Sequence, residues 1–217
     1  MPDGSLTLYG YWRSSAAWRV RLALAAKGLA YDSVPIDLRH DVQSGADYLA
    51  RNPQGLVPAL DIGSAVLGQS LAIIEFLDET HPEPPLLPGD AIGRARVRAA
   101  ALMVAADIHP LGNLRVQRYL KSPLGVEQAV VDDWTRHWVG LGLAALEHFA
   151  QRHAGEFMYG DRFSLADICL VPQLYNARRV MAPLDSYPLL LRAESAVQGL
   201  SFAAAAAPDM QTDALKA

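Results

Sequence analysis

The sequence predicts a small α/β unit over residues 1–81 and an all-helical unit over residues 91–217. Up to residue 81, short strand patterns alternate with helical patterns, and beyond residue 90 the strand patterns fade. The segment 82–90 between them contains four prolines and a glycine, which cannot continue a helix. We therefore expect a stiff connector between two parts of different architecture.

Each element of the first unit follows from its residue pattern. An apolar run predicts a strand at 6–9, and the helical pattern after it ends at Gly28. The remaining elements are a strand at 31–35, a short helix within 42–51, two strands at 57–62 and 65–67 joined by Gly63-Ser64, and a helix at 70–81.

Four helical patterns make up the second unit, at 93–120, 127–153, 164–180 and 188–198. In the third, Ser164 followed three residues later by Asp167 predicts a capping box. Cys169 lies among apolar residues of the same helix, so we expect a buried, inert thiol. The alanine-rich stretch 203–207 is short and close to the end of the chain, and we expect a frayed tail there.

The bulk composition excludes several classes of function. The 217 residues are 51% hydrophobic and carry a net charge of −4, which gives no support to a nucleic-acid or anionic-membrane partner. The single cysteine excludes an internal disulfide, and the six histidines show no metal-ligand spacing. Without a targeting leader or a bilayer-length apolar run, we expect a cytoplasmic protein that binds no metal.

The most informative segment is 12–21, which leads from the first strand into the first helix. Ser14 or Ser15 falls at the N-terminus of that helix, where unpaired N–H groups and the helix dipole favour an anion. Serine is also a common N-cap, so the position alone leaves a ligand role and a capping role open.

Two further segments suggest walls of the same site. Pro58 stands at the start of a strand, where a cis Val57–Pro58 bond would turn the Val57 backbone outward to pair with a peptide. An ordinary trans proline is the common alternative. Gln69 and Ser70 open the helix at 70–81, where Ser70 serves as an N-cap or receives a ligand carboxylate.

Together these segments resemble the zeta class of glutathione transferases, over residues 6 to about 202. The resemblance implies the glutathione transferase fold, with a thioredoxin-like N-terminal domain, an all-helical C-terminal domain and a homodimer. The residues that carry it are Ser14-Ser15-x-x-Trp18-Arg19-Val20-Arg21, Asn52-Pro53-x-Gly55-x-Val57-Pro58-Ala59-Leu60 and Gln69-Ser70-x-Ala72-Ile73-Ile74-Glu75.

The resemblance also assigns roles toward glutathione. Ser14, with Ser15 beside it, is the hydroxyl that binds the sulfur. The other assignments are Val57 before a cis Pro58 for the cysteinyl backbone, Gln69 and Ser70 for the γ-glutamyl group, and His40 and Gln54 near the glycyl end. Ala16 stands where many members have cysteine, which disfavours reactions that need a protein thiol but leaves isomerisation possible.

A second group of residues follows from the same resemblance. His109 and Asn113 are four residues apart, so on a continuous helix they share a face, and they are added to the glutathione set. The substrate set is Arg13, His109, Arg115 and one of Arg178 and Arg179, because arginines clamp carboxylates bidentately. Taken singly, each arginine has an ordinary explanation as an exposed helix residue, and His109 as a packing residue.

The activity implied is a glutathione-dependent cis–trans isomerisation that converts maleylacetoacetate or maleylpyruvate into its fumaryl isomer. A general glutathione transferase or peroxidase acting on small electrophiles is the first alternative. A binding module that keeps the fold but does no chemistry is the second. The sequence leaves the choice between the two maleyl substrates open.

Overall fold

The computed structural model describes residues 6–214, which form two compact units. One comprises residues 6–85 together with 200–214, and the other runs from Leu86 to Gly199. Within residues 6–214, no helix combines the length and the apolar character that crossing a membrane requires. A division into folding domains at 1–81 and 91–217 stays a prediction.

The first unit is built on a mixed four-stranded sheet in the order β2-β1-β3-β4. β1 pairs with β2 in parallel and with β3 antiparallel, and β3 and β4 form a hairpin. The strands are β1 at Leu6–Gly10, β2 at Tyr31–Pro35, β3 at Ala59–Asp61 and β4 at Val66–Gly68. The parallel pair requires a crossover, and helix α1 (Ser15–Ala26) supplies it. These strands and α1 confirm the α/β pattern of the sequence.

The sheet unit also contains a second long helix and a short helical segment. Helix α3 (Ser70–Thr80) packs against α1, with Ile73 and Leu77 fully buried. The predicted helix within 42–51 is shorter than expected: it consists of a 3-10 turn at Val42–Ser44 and one turn of α-helix, α2, at Ala46–Leu49.

The second unit is helical, as predicted. Its helices are α4 (Ala91–Leu102), α5 (Leu114–Lys121), α6 (Gln128–His153), α7 (Leu165–Arg179) and α8 (Pro188–Gln198). The capping box of α7 is confirmed, since Ser164 donates to Asp167 Oδ2 from its backbone N at 2.9 Å and from its hydroxyl at 2.8 Å. Burial raises the pKa of the Asp167 carboxyl to about 6. Cys169 is buried in the same helix, as expected.

The region predicted as one helix at 93–120 is interrupted. After α4 the chain makes a π-helical turn at Met103–Ile108, and α5 begins only after its N-cap Asn113. Pro110 has no amide proton to donate to a helical hydrogen bond, and Gly112 follows in the same turn. The prediction that His109 and Asn113 share a helix face was therefore wrong.

The prediction of a frayed tail at 203–207 was also wrong. Residues Ala203–Ala206 form a helical turn, α9, with Ala203 and Ala206 buried. A helix of this length is not stable alone. It contacts α1, far earlier in the chain, and this packing explains why local sequence gave no indication of order.

Candidate active site

Of the two serines at the start of α1, Ser14 is the one that a ligand can reach. Ser15 is buried, whereas Ser14 is half-buried and is the N-cap of the helix. Its Oγ accepts a hydrogen bond from the Ala17 backbone N at 3.3 Å. This bond uses a lone pair, so the hydroxyl proton can donate to an anion at the positive end of the α1 dipole. The capping role and the ligand role are thus compatible.

Arg13 is positioned by the residue before it. Its guanidinium carbon lies 5.4 Å from the centre of the Trp12 ring, within the range of a cation–π contact. The Trp12 side chain is buried. The buried Trp12 ring therefore holds one face of the Arg13 guanidinium, and Arg13 directly precedes Ser14 in the sequence.

The backbone around Val57 is fixed by two side chains. The Leu56 carbonyl accepts hydrogen bonds from the Tyr48 hydroxyl and from Asn52 Nδ2, both at 2.7 Å. Val57 then precedes Pro58 through a cis peptide bond, as the resemblance implied. The role of Tyr48 escaped sequence reasoning, because nothing in a residue eight positions earlier indicates this contact.

Gln69 and Ser70 lie at the start of α3, but the cap is Gln69 rather than the predicted Ser70. Gln69 has a φ of 64°, which is rare for a residue other than glycine and is typical of functional sites. Its Nε2 donates to Gln54 Oε1 at 2.7 Å. Ser70 is buried, and its Oγ accepts from Arg19 Nη1 at 3.4 Å. The structure thus joins two predicted ligand residues, Gln54 and Gln69.

His40 lies in a separate charged group on a 3-10 turn at Leu38–His40. Its ring is 76% exposed, and its Nδ1 is 2.9 Å from Asp37 Oδ2. The Arg39 guanidinium, bound to the same carboxylate, holds the pKa of Asp37 well below its usual range. His40 is therefore oriented by Asp37, a residue that sequence reasoning did not single out.

His109, Asn113 and Arg115 lie together at the start of α5. Asn113 Oδ1 caps the helix by accepting from the Arg115 backbone N at 3.1 Å, and its Nδ2 is 3.4 Å from His109 Nε2. The turn that carries them is fixed by Gln117 Nε2, which donates to the Gly112 carbonyl at 2.9 Å. The three predicted residues are thus neighbours although no continuous helix joins them.

The two arginines at the end of α7 differ in their partners. Arg178 forms a bidentate pair with Glu194, with nitrogen–oxygen distances of 2.6 and 2.5 Å. The Glu194 side chain is only 6% exposed. Arg179 is exposed, and its Nη1 lies 3.4 Å from Asn176 Oδ1. The charge of Arg178 is thus neutralised within the second unit.

Comparison with known proteins gives a consistent result. A glutathione S-transferase N-terminal domain model matches residues 8–85, and a C-terminal domain model matches residues 132–194. A probable maleylacetoacetate isomerase of Vibrio cholerae is 47% identical over 97% of this chain and 99% of its own. The maleylpyruvate isomerase of a Ralstonia species is 42% identical over 96% of this chain and 99% of its own.

Solved structures agree with these relatives. The holo structure of a maleylpyruvate isomerase, described as a bacterial zeta-class glutathione S-transferase, has a TM-score of 0.94 and 42% identity over 96% of this chain and 100% of its own. The maleylacetoacetate isomerase of Anaeromyxobacter dehalogenans, with glutathione bound in its active site, has a TM-score of 0.88 and 47% identity. That match covers 97% of this chain and 98% of the other.

Glutathione transferases combine a mixed sheet, a serine at the N-terminus of the first helix and a helical unit that follows in sequence, and this chain has the same arrangement. The chain belongs to the glutathione S-transferase family. Within the family, its full-length relatives place it in the zeta class, beside the maleylacetoacetate and maleylpyruvate isomerases. The resemblance and the fold class predicted from the sequence are both confirmed.

Proposed function

We propose that this protein is a glutathione-dependent cis–trans isomerase that converts maleylacetoacetate or maleylpyruvate into its fumaryl isomer. The observation that carries the proposal is the placement of Ser14, a reachable hydroxyl at the N-terminus of α1. Relatives named for these two activities align with nearly the whole chain, which supports the same chemistry here.

The residues of the first unit fit glutathione. The Ser14 hydroxyl donates to the sulfur, and the α1 N-terminus lowers the pKa of the bound thiol. Val57 pairs with the cysteinyl backbone ahead of Pro58. Gln69 and Ser70 bind the γ-glutamyl group, with Gln54 holding the Gln69 amide. His40 and Gln54 serve the glycyl end. The resemblance adds His109 and Asn113, which belong to the second unit, to the glutathione set.

Bound glutathione supplies a thiolate that adds reversibly to the maleyl double bond, so that the carbon–carbon bond can rotate before the thiolate leaves. Ser14 keeps that sulfur ionised between turnovers. A cationic group holds the two carboxylates of the substrate and the negative charge that the substrate gains when the thiolate adds. We assign this role to Arg13, Arg115 and His109.

Of the two arginines on α7, we assign the substrate role to Arg179. The reason is the commitment of Arg178 to the buried Glu194, since a guanidinium already bound bidentately cannot clamp a second carboxylate in the same way. The assignment can be tested by substituting each arginine in turn, because the two side chains are adjacent and chemically identical.

A homodimer and a cytoplasmic location belong to the same proposal. Both rest on the resemblance to the family. Light scattering coupled to gel filtration measures the first, and fractionation of the source cells measures the second.

The proposal is tested by following the absorbance of maleylpyruvate and of maleylacetoacetate, each with and without glutathione. We expect fast decay of one substrate, dependent on glutathione, with a fumaryl product. Decay of neither substrate, with glutathione still bound, would favour the general transferase or peroxidase. No glutathione binding at all would leave only the binding module.

A further inference from the structure

The backbone of Trp12 is held by two charged residues, one nine positions later in the sequence and one 201 positions later. Its carbonyl accepts from Arg21 Nη2 at 2.9 Å, and its N–H donates to Asp213 Oδ2, also at 2.9 Å. Arg21 Nε at the same time donates to the Ala206 carbonyl at 2.9 Å. Arg21 thus joins the loop before α1 to the C-terminal segment, and Asp213 makes a second bond between them.

These bonds involve charges in a buried environment. Arg21 is only 3% exposed, and burial lowers its pKa to about 10, with Tyr31 and Asp213 opposing the shift. Arg21 therefore stays charged at neutral pH. A buried guanidinium needs hydrogen-bond acceptors, and two carbonyls accept from it here. Hydrogen bonds of charged groups are stronger than neutral ones, so this contact resists opening.

The Trp12 backbone directly precedes the two residues that the proposed mechanism needs. The Trp12 ring holds the Arg13 guanidinium, and the Ser14 backbone N donates to the Tyr11 carbonyl at 2.9 Å, which closes a tight turn around Trp12. A shift of the Trp12 backbone therefore moves both Arg13 and the Ser14 hydroxyl. Displacements of about 1 Å at a reacting group cost up to about a hundredfold in rate.

We infer that the C-terminal segment 202–213 is a strap that holds the Ser14 loop in its reactive position, with Asp213 as a positioning residue. This inference rests on the proposed function, because it gives Asp213 a role in orienting the thiol-binding hydroxyl. The strap begins with α9, which packs on α1, and ends at Asp213 on the backbone of Trp12.

The first test measures the strap without relying on catalysis. Hydrogen exchange is followed in the peptide that covers residues 11–17, in the wild type and in Asp213→Ala. Without the carboxylate acceptor, we expect the Trp12 amide to exchange about tenfold faster, the effect of losing one hydrogen bond to a charged group. Asp209→Ala is the matched control, because Asp209 is an exposed carboxylate of the same segment. It should exchange like the wild type.

The second test separates positioning from folding. The pKa of glutathione bound to each variant is read from thiolate absorbance, and kcat is counted per glutathione-binding site. Asp213→Ala should raise the thiol pKa and lower kcat about tenfold, as expected for one displaced charge-assisted contact. Asp213→Asn keeps an oxygen acceptor, so its thiol pKa and its kcat should both lie close to those of the wild type. A chain that ends at Thr212 should behave like Asp213→Ala, and a chain that ends at Ala214 like the wild type.

Each outcome decides the inference. Unchanged exchange at 11–17 in Asp213→Ala would overturn it, and so would an unchanged thiol pKa with lower thermal stability alone. If Asp213→Ala does not fold, Asp213→Asn and the two shortened chains still give the comparison. Failure of the proposed function looks different, since the wild type itself would then isomerise neither maleyl substrate, while the exchange result would still test the strap.

Discussion

Arg178 and Glu194 form a bidentate ion pair within the helical unit, and our proposal of different roles for two adjacent arginines rests on this pair. We expect Arg178→Met to lower the free energy of unfolding by about 1–2 kcal/mol, because the buried Glu194 loses its partner while solvent moderates the loss on the half-exposed Arg178 side. The KM for the maleyl substrate should change little.

Arg179→Met is the matched comparison for Arg178→Met, and we expect the opposite effects. It should leave the unfolding midpoint in urea near that of the wild type and raise the KM for the maleyl substrate. The double variant Arg178→Met/Glu194→Leu checks the pair itself, since removing both partners recovers stability that removing one does not. A raised KM in Arg178→Met with normal stability would reverse the two assignments.

Ser14 combines a cap and a proposed catalytic hydroxyl, and two substitutions separate these roles. Ser14→Ala removes both, so we expect about 1 kcal/mol lower stability and about a hundredfold lower kcat. Ser14→Gly removes the hydroxyl but costs a helix N-cap only a few tenths of a kcal/mol, by general capping scales. It should therefore lose activity while keeping stability. Full turnover in Ser14→Gly would remove the proposed role of the hydroxyl.

Tyr48 and Asn52 share the Leu56 carbonyl and so hold the backbone ahead of Val57. We expect Tyr48→Phe to raise the Kd for glutathione by several-fold, since one hydrogen bond is worth about 1 kcal/mol. The kcat at saturating glutathione should stay near that of the wild type. Calorimetric titration measures the Kd, and His40→Ala, at an exposed ring, serves as a comparison for a weaker contact.

Asp167 predicts a pH dependence of stability with a definite sign. Its pKa is raised from 3.8 to about 6 by burial, so the native state binds this proton more tightly than the unfolded chain. Its contribution to the free energy of unfolding is therefore largest at low pH, and it decreases as the pH rises through about 4 to 6. Urea unfolding of the wild type and Asp167→Asn over this range isolates the effect. Parallel curves for the two proteins would contradict it.

Gly142 on α6 faces the π-helical turn before His109. A Cβ at this glycine would overlap Cγ1 and Cδ1 of Ile108, which is almost fully buried. We expect Gly142→Ala to cost about 1–3 kcal/mol through overpacking and to displace the turn that carries His109. Gly140→Ala on the same helix meets no neighbouring atom and should be neutral or stabilising. Thermal unfolding of the two variants makes the comparison.

Local patterns were sufficient where the structure depends on local chemistry. Pro188 at the first position of α8 and Gly199 after its end give that helix its predicted limits, and Ser164 with Asp167 give the start of α7. The choice between Ser14 and Ser15 needed the structure, because burial and the capping bond of Ser14 distinguish the two neighbouring serines.

The errors fall where distant contacts decide. The helix break at 109–113 has a local signal in Pro110, but the course of the turn depends on Trp134, whose Nε1 donates to the Leu111 carbonyl at 2.8 Å. The order of α9 depends on its packing against α1, and the hold of Asp213 on Trp12 spans 201 positions of sequence. Neither helical periodicity nor composition contains such information.

The central claim is that glutathione is used and returned in each turnover. The most direct measurement supplies glutathione at a concentration far below that of the maleyl substrate and follows both compounds to completion. We expect complete conversion to the fumaryl isomer, with the glutathione concentration unchanged at the end. Conversion that stops when glutathione is consumed, with a glutathione conjugate as product, would contradict the isomerase account and define a conjugating transferase instead.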